Sequence, residues 1–215
     1  MPFMAAECIH YIGLDLKEEK RILREKIWGL MTKTGVVRFP LPAYGRIPNF
    51  KGSEEAAEKL RQVDEWKNST VVFSNPDYAQ KKVRENVLKD GKILIMASPR
   101  LKQGFILVDP DKVKGLEEFA STIKGAFDYG KKIDVEQTPK PDLIITGCVA
   151  VNMDGFRLGK GYGYGDQEIK ILKRKFGKIP VAVTVHDLQI VDRVPHEKHD
   201  ERVDIITTPT KNVRI

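Results

Sequence analysis

Short apolar runs rich in β-branched residues recur along this chain and alternate with polar or helical stretches. Runs of about four to eight such residues, bounded by turn signals, are typical of buried strands. The runs that we predict to be strands are residues 36–39, 71–73, 93–96, 105–108, 142–151, 181–185 and 205–206.

Between these runs, apolar residues recur at helical spacing. In residues 17–32 they form one stripe, and Gly35 follows as a helix stop. The other predicted helices are residues 53–63, 78–89, 116–126 and 164–176. Alternation of strands with helices predicts an α/β fold with a mainly parallel sheet and helices on both faces. Ligands of such sheets bind at the carboxyl ends of the strands.

A glycine-rich segment, residues 155–166, follows the longest apolar run and leads into the last predicted helix. It holds five glycines, two cations and two tyrosines, and it closes on Asp166. Glycine permits tight turns and close approach of the backbone to a ligand, while Arg157 and Lys160 supply positive charge. Because a helix N-terminus follows, the segment predicts a phosphate-binding loop.

Two common phosphate motifs do not fit this segment. Lys160 is followed by Gly161 and not by the hydroxyl residue of a Walker loop, and no glycine triplet has the spacing of the dinucleotide fingerprint. A flexible glycine-rich surface turn is the structural alternative.

Length and composition restrict the class of protein. A chain of 215 residues with 41% hydrophobic content can form one sizeable core, and no low-complexity linker divides it, so we expect a single domain over residues 1–215. The longest apolar runs are too short for a bilayer, and residues 1–14 lack the basic flank of a secretory signal. We therefore expect a cytoplasmic protein with no membrane partner.

The formal net charge of +7 favours anionic partners, such as nucleotides, other phosphorylated or carboxylated small molecules, or nucleic acid. Basic residues form no block and no nucleic-acid recognition motif is visible, which argues against nucleic acid. Carboxylates in residues 189–204, Asp200 among them, predict a magnesium site for a nucleotide. Cys148 lies in an apolar run, which favours a buried thiol without a catalytic role.

In these residues the chain resembles the 5-formyltetrahydrofolate cyclo-ligases, also called methenyltetrahydrofolate synthetases. Their motif Phe-Asp-x-x-Gly-x-Arg-Leu-Gly-x-Gly-x-Gly-Tyr-Tyr-Asp is matched by Gly155, Arg157, Leu158, Gly159, Gly161, Gly163, Tyr164 and Asp166. Their amino-terminal Lys-x-x-Leu-Arg is matched by Lys20, Leu23 and Arg24, and their late Gln, Pro and His-Asp pattern by Gln189, Pro195, His199 and Asp200.

The resemblance implies a three-layer α/β/α fold similar to the ribose-phosphate isomerase and CoA-transferase group. It implies an ATP- and Mg²⁺-dependent reaction that phosphorylates the formyl oxygen of a reduced folate or related pterin and then closes the methenyl ring. Implied ATP-binding residues are Lys20, Arg24, Arg157, Leu158, Gly159, Lys160, Gly161, Tyr162, Gly163, Tyr164 and Gly165. Implied catalytic residues are Arg157 and Lys160, implied metal contacts are Asp166 and Asp200, and implied substrate contacts are Asp77, Lys160, Gly161, Tyr162, Gly163 and Tyr164.

The chain departs from the family pattern at several positions. The Phe-Asp pair is Val151-Asn152, the second tyrosine is Gly165, and the folate-contacting Glu is Asp77. Because Asp is one methylene shorter than Glu, Asp77 would hold the pterin differently or hold another ligand. The first alternative is therefore an ATP-dependent enzyme that activates a different formamide or carboxylate, and the second is a nucleic-acid-binding protein.

Overall fold

The computed structural model describes residues 15–198 and 200–215. Residues 1–14, on which the expectation of no secretory signal rests, lie outside the described residues, and so does His199 of the late family pattern. Within the described ranges, no helix combines the length and the apolar character needed to cross a membrane.

A large mixed sheet occupies the centre of the fold. The strands of the described residues are β1 (Val37–Arg38), β2 (Asn49–Phe50), β3 (Val71–Ser74), β4 (Ile93–Ala97), β5 (Phe105–Val108), β6 (Lys131–Ile133), β7 (Leu143–Thr146), β8 (Ala150–Val151), β9 (Arg157–Leu158), β10 (Val181–Thr184), β11 (Ile205–Thr207) and β12 (Asn212–Arg214). The central sheet has the order β12-β11-β10-β7-β3-β4-β5-β6. Strands β11, β10, β7, β3 and β4 are parallel, and antiparallel strands form both edges.

Helices cover both faces of this sheet. The helices of the described residues are α1 (Leu16–Lys33), α2 (Ser53–Leu60), α3 (Asp64–Lys67), α4 (Lys81–Lys89), α5 (Glu117–Ala120), α6 (Ile123–Tyr129) and α7 (Tyr164–Phe176). Successive side chains of a strand point to opposite faces. In β7, Leu143 and Ile145 pack in the core beneath α2 to α6, whereas Ile144 packs in the core beneath α7. This confirms the predicted three-layer α/β/α fold with a mainly parallel sheet.

Helix α1 lies apart from these two layers. Its apolar stripe, which includes Leu23 and Ile27, packs in a third cluster with Ala43, Ile47 and residues of the small β8–β9 hairpin. Because the second strand of this hairpin belongs to the glycine-rich segment, α1 holds its own cations beside that segment.

The structure corrects several predicted boundaries. The apolar run 142–151 is two strands, because the chain leaves the sheet at Gly147, where a Cβ would lie 2.7 Å from Gln80 Oε1 and 2.6 Å from Ile47 Cγ2. The predicted helix 53–63 ends at Leu60, and 116–126 is the two short helices α5 and α6. The run 36–39 contributes only β1, which pairs with β2 outside the central sheet. Helix α7 and strand β5 have the predicted bounds.

Candidate active site

Four adjacent parallel strands end in a hydroxyl side chain. These residues are Ser74, Thr146, Thr184 and Thr207, each at most 1% exposed. Buried hydroxyls need partners, and Asn75 donates to Thr146 Oγ1 at 3.2 Å while Gln80 donates to Thr184 Oγ1 at 3.0 Å. The carboxyl edge of the sheet is therefore a polar layer within an apolar core, at the position where ligands of α/β sheets bind.

The glycine-rich segment is not one loop, as the sequence predicts, but a hairpin followed by a loop. Strand β9 pairs with β8, and the turn between them closes where Phe156 N donates to Asn152 Oδ1 at 2.9 Å. Gly155 has φ +84° in this turn, and a Cβ there would lie 2.6 Å from the carbonyl oxygen of Val203. Gly155 thus serves the packing of the hairpin, and the loop begins only after Leu158.

The loop itself, residues 159–163, has open space beside it. A Cβ built on Gly159 or Gly163 would meet no atom of residues 15–198 and 200–215 within 4 Å. Gly163 has φ +73° and caps α7 without a side-chain hydrogen bond to the helix. Since the first N–H groups of a helix have no intrahelical partner and carry partial positive charge, this end of α7 suits an anion such as phosphate.

Helix α1 brings a cation onto this loop. Arg24 Nε donates to the carbonyl oxygen of Gly159 at 2.8 Å, and a Cβ on Gly161 would lie 3.6 Å from the Arg24 guanidinium carbon. Partial burial lowers the pKa of Arg24 from its usual value. One turn earlier, Lys20 Nζ forms an ion pair with Asp200 Oδ2 at 3.1 Å. Sequence motifs from both ends of the chain therefore meet at α1.

Lys160 joins the loop to the segment that follows β3. Its Nζ lies 2.6 Å from Asp77 Oδ1, and the two side chains are 31% and 17% exposed. The predicted substrate contacts Lys160 and Asp77 are 83 residues apart in sequence, and the fold places them in direct contact.

Arg157 is buried, unlike Lys160. Its side chain is 2% exposed, and Nη2 lies 2.9 Å from Asp166 Oδ1 in the first turn of α7. A Cβ on Gly165 would contact both the Arg157 guanidinium and Thr146 Oγ1, at 3.6 and 3.5 Å. Arg157 therefore lies between the end of β7 and the start of α7, and its Nε is buried without a hydrogen-bond partner among the residues that the structure describes.

The other residues predicted for the site have different surroundings. The side chain of Leu158 is 2% exposed and packs with α1, so only its backbone faces the loop. Tyr162 is 65% exposed, and its ring lies 6.2 Å from that of Tyr164. Burial raises the pKa of Cys148 to about 12, which keeps the thiol protonated.

The predicted metal contacts do not form a metal cage. Asp166 is paired with Arg157, and Asp200 is paired with Lys20. Across residues 15–198 and 200–215, no three His, Cys, Asp or Glu side chains are grouped so as to hold a metal ion. Mg²⁺ commonly takes only one or two carboxylates and completes its shell with phosphate oxygens and water, so these residues suit Mg²⁺ only together with a nucleotide.

Glu168 is a member of the site that the sequence prediction misses. It is 4% exposed on α7. Burial raises the pKa of Glu168 to about 8, the charge of Asp77 acts in the same direction, and the charges of Arg157 and Lys160 oppose the shift. The sequence did indicate that Glu168 is buried, because position 168 stands four residues before Leu172 on the apolar face of the helix.

Glu168→Gln is expected to remove a pH dependence of stability. The pKa of Glu168 rises from 4.5 to about 8 on folding, so between these values the folded state holds a proton that the unfolded chain has released. The stability that this proton contributes is complete below the unfolded pKa and is lost as the pH rises through the folded one, by about 1.4 kcal/mol for each unit of difference.

Urea unfolding as a function of pH measures this effect. The wild type and Glu136→Gln, whose side chain is 88% exposed in the wild type, are expected to lose this stability as the pH rises from 4.5 to about 8. Glu168→Gln is expected to lose much less stability over the same pH range. Equal pH slopes for all three proteins would contradict the assignment.

Arg84 is a second residue that the sequence prediction misses. This guanidinium is 2% exposed, and its Nη1 donates to the carbonyl oxygens of Asn75 and Asp77 at 2.7 and 2.9 Å. Burial lowers the pKa of Arg84 to about 10, against the opposing effect of Asp77. Arg84 fixes the backbone that presents Asp77 to Lys160. In the sequence, its position three residues before Val87 on one helix face indicated that it is buried.

Comparison with known proteins agrees with this geometry. The sequence profile of the 5-formyltetrahydrofolate cyclo-ligase family matches residues 16–209, which includes the α1 cations, the loop and Asp200. The chain belongs to this family. The family is one of ligases, and membership confirms the resemblance noted in the sequence.

Relatives and a solved structure extend the comparison. Proteins of Bos taurus and Homo sapiens, both named methenyltetrahydrofolate synthase domain-containing protein, are each 37% identical over 202 residues. These alignments cover 89% of this chain but 53% and 52% of the relatives, so the chain spans about half the length of these curated relatives. An NMR structure of Aquifex aeolicus 5,10-methenyltetrahydrofolate synthetase has a TM-score of 0.59 at 22% identity, covers 91% of this chain and 92% of that chain, and shows the same fold.

Proposed function

We propose that this member of the cyclo-ligase family converts 5-formyltetrahydrofolate, or a related reduced pterin, to the 5,10-methenyl form with release of ADP and phosphate. The observation that carries the proposal is the contact of 2.6 Å between Lys160 of the loop and Asp77 after β3. It joins an anion-binding loop to the carboxylate that stands where the family has its folate-contacting residue. One side chain pair thus borders both substrates of such a reaction.

The loop supports ATP as one substrate. Open space at Gly159 and Gly163, the glycine-capped N-terminus of α7 and the nearby Arg24 suit a polyphosphate. We propose that Lys20, Arg24 and residues 158–165 bind ATP, with Leu158 contributing its backbone alone and the buried Arg157 positioning the loop. Asp166 and Asp200 would contact Mg²⁺ only when it is bound together with the nucleotide. Neither belongs to a group of three potential metal ligands within the described residues.

When bound, MgATP supplies the phosphoryl group that makes the formyl oxygen a leaving group. The chain's own part is positioning and charge neutralisation, which suffice for phosphoryl transfer without a nucleophilic side chain. Lys160, 31% exposed and able to reach a ligand, would neutralise charge on the transferred group. Arg157, being buried, acts by holding Asp166 and the start of α7. Asp77 would accept hydrogen bonds from the pterin.

The direct test mixes the protein with MgATP and 5-formyltetrahydrofolate and follows the absorbance of the methenyl product together with phosphate release. The proposal expects both signals, and loss of both when either substrate is omitted. Absence of both with well-folded protein would overturn it.

The ion pair of Asp77 also supports the alternative substrate. With its shorter side chain held at 2.6 Å by Lys160, Asp77 has less reach toward a pterin than Glu would have. Activation of a different formamide or carboxylate is therefore the second candidate. Phosphate release stimulated by such a compound, with 5-formyltetrahydrofolate inert, would select it.

A further inference from the structure

Large apolar side chains are exposed beside the Asp77–Lys160 pair. Tyr78, the neighbour of Asp77, is 42% exposed, and Phe39 is 67% exposed. The two rings meet edge to face, with centroids 5.3 Å apart and planes at 84°. We call Phe39 and Tyr78 the aromatic wall. Exposed apolar surface next to charged groups is common where a ligand binds.

The segment that carries Phe39 is anchored. Asn49 Nδ2 donates to the carbonyl oxygen of Phe39 at 2.8 Å, and Trp28 Nε1 donates to that of Arg46 at 3.0 Å. Ala43 and Ile47 are buried in the cluster beneath α1. A segment with this many attachments presents Phe39 in a defined place, although two thirds of the side chain faces solvent.

The other half of the aromatic wall is equally fixed. The carbonyl oxygen of Asp77, just before Tyr78, accepts from the buried Arg84 at 2.9 Å, and the carboxylate of Asp77 accepts from Lys160 at 2.6 Å. Tyr78 then begins a 3₁₀ turn that leads into α4. A carboxylate and two exposed aromatic rings in mutual contact are therefore carried on hydrogen-bonded backbone, which suits a ligand that is planar and bears N–H donors.

We propose that the aromatic wall binds the pterin ring of the second substrate by stacking and edge contacts, while Asp77 accepts hydrogen bonds from the same ring. This rests on the proposed function, since it assigns the pterin to that site. The aromatic wall selects for a flat ring system over an aliphatic formamide or carboxylate. Neither Phe39 nor Tyr78 belongs to the family motifs matched in the sequence.

The test measures the binding of 5-formyltetrahydrofolate, and of a reduced 5-formylpterin without the aminobenzoyl-glutamate tail, by calorimetry. Phe39→Ala and Tyr78→Ala are each expected to weaken the binding of both ligands roughly 10-fold, the effect of losing one aromatic contact. Tyr78→Phe, which keeps the ring, is expected to bind like the wild type. ATP binding is expected to stay within about twofold in all variants, since the wall borders the pterin alone.

Tyr129→Ala is the matched control, because Tyr129 on α6 is 43% exposed and makes an edge-to-face contact with Phe119, as Tyr78 does with Phe39. It is expected to leave both affinities unchanged. Wild-type affinity for both ligands in Phe39→Ala and Tyr78→Ala would overturn the aromatic wall and leave the proposed function standing. Weaker binding of 5-formyltetrahydrofolate, with unchanged binding of the tail-less pterin, would also overturn it. If the wild type neither binds nor converts the folate, the proposed function fails and the inference fails with it.

Discussion

Arg157→Ala is expected to destabilise the protein by about 1–3 kcal/mol, because a buried guanidinium is lost while its partner Asp166, 31% exposed, can be solvated in part. The Arg157 side chain is 2% exposed, and its partner Asp166 would be left beside the buried Glu168 with no cation at 2.9 Å. Helix α7 would lose its connection to the end of β7, so the loop before it would lose its position. Turnover is therefore expected to fall with stability.

Urea unfolding measures this effect, with Arg174→Ala as the control. Arg174 lies on the same helix but is exposed, and its replacement is expected to change the free energy of unfolding by less than about 0.5 kcal/mol. Arg157→Lys should recover only part of the loss, because one ammonium cannot replace a planar guanidinium. An Arg157→Ala variant as stable as the wild type would show that the buried pair does not hold α7.

Lys160→Ala is expected to reduce kcat/KM by about 10²–10³-fold, the typical cost of losing one group that stabilises charge in the transition state. Stability is expected to change by no more than about 1 kcal/mol, because Lys160 is 31% exposed and such pairs contribute little. Lys160→Ala and Arg157→Ala thus separate two roles that the sequence motif presents as equivalent.

Steady-state kinetics with MgATP and 5-formyltetrahydrofolate, beside calorimetric binding of ATP, measure the effect. Lys114→Ala is the matched control, since Lys114 also forms an ion pair, with Asp111 at 2.8 Å, but is 77% exposed and stands outside the site. This control should retain wild-type kinetics. A Lys160→Ala variant with unchanged kcat/KM and unchanged ATP affinity would remove Lys160 from the site.

The fold was predictable where the sequence pattern is local and strong. The apolar residues of α7 recur at helical spacing, and β5 is a short β-branched run, so both have the predicted bounds. The short strands β2, β6, β9 and β12 were not predictable, because two or three residues carry no period and their pairing depends on distant segments. The break at Gly147 depends on Gln80 and Ile47, which only the fold brings there.

For the site, the sequence predicted residue types but not their partners. Lys20 and Arg24 stand four residues apart and were expected to act together, yet one pairs with Asp200 and the other with Gly159. The burial that separates Arg157 from Lys160 has no counterpart in the sequence motif. Burial and long-range pairing are properties of the tertiary structure, which a motif does not encode.

The proposed function requires that the loop and Asp77 together couple ATP to closure of the methenyl ring. Its most direct test counts the products of one reaction: ADP and methenyl product formed from 5-formyltetrahydrofolate and MgATP by the wild type. Equal amounts of the two products are expected, with neither formed when one substrate is omitted. ADP formation without methenyl product, or no ADP at all, would contradict it.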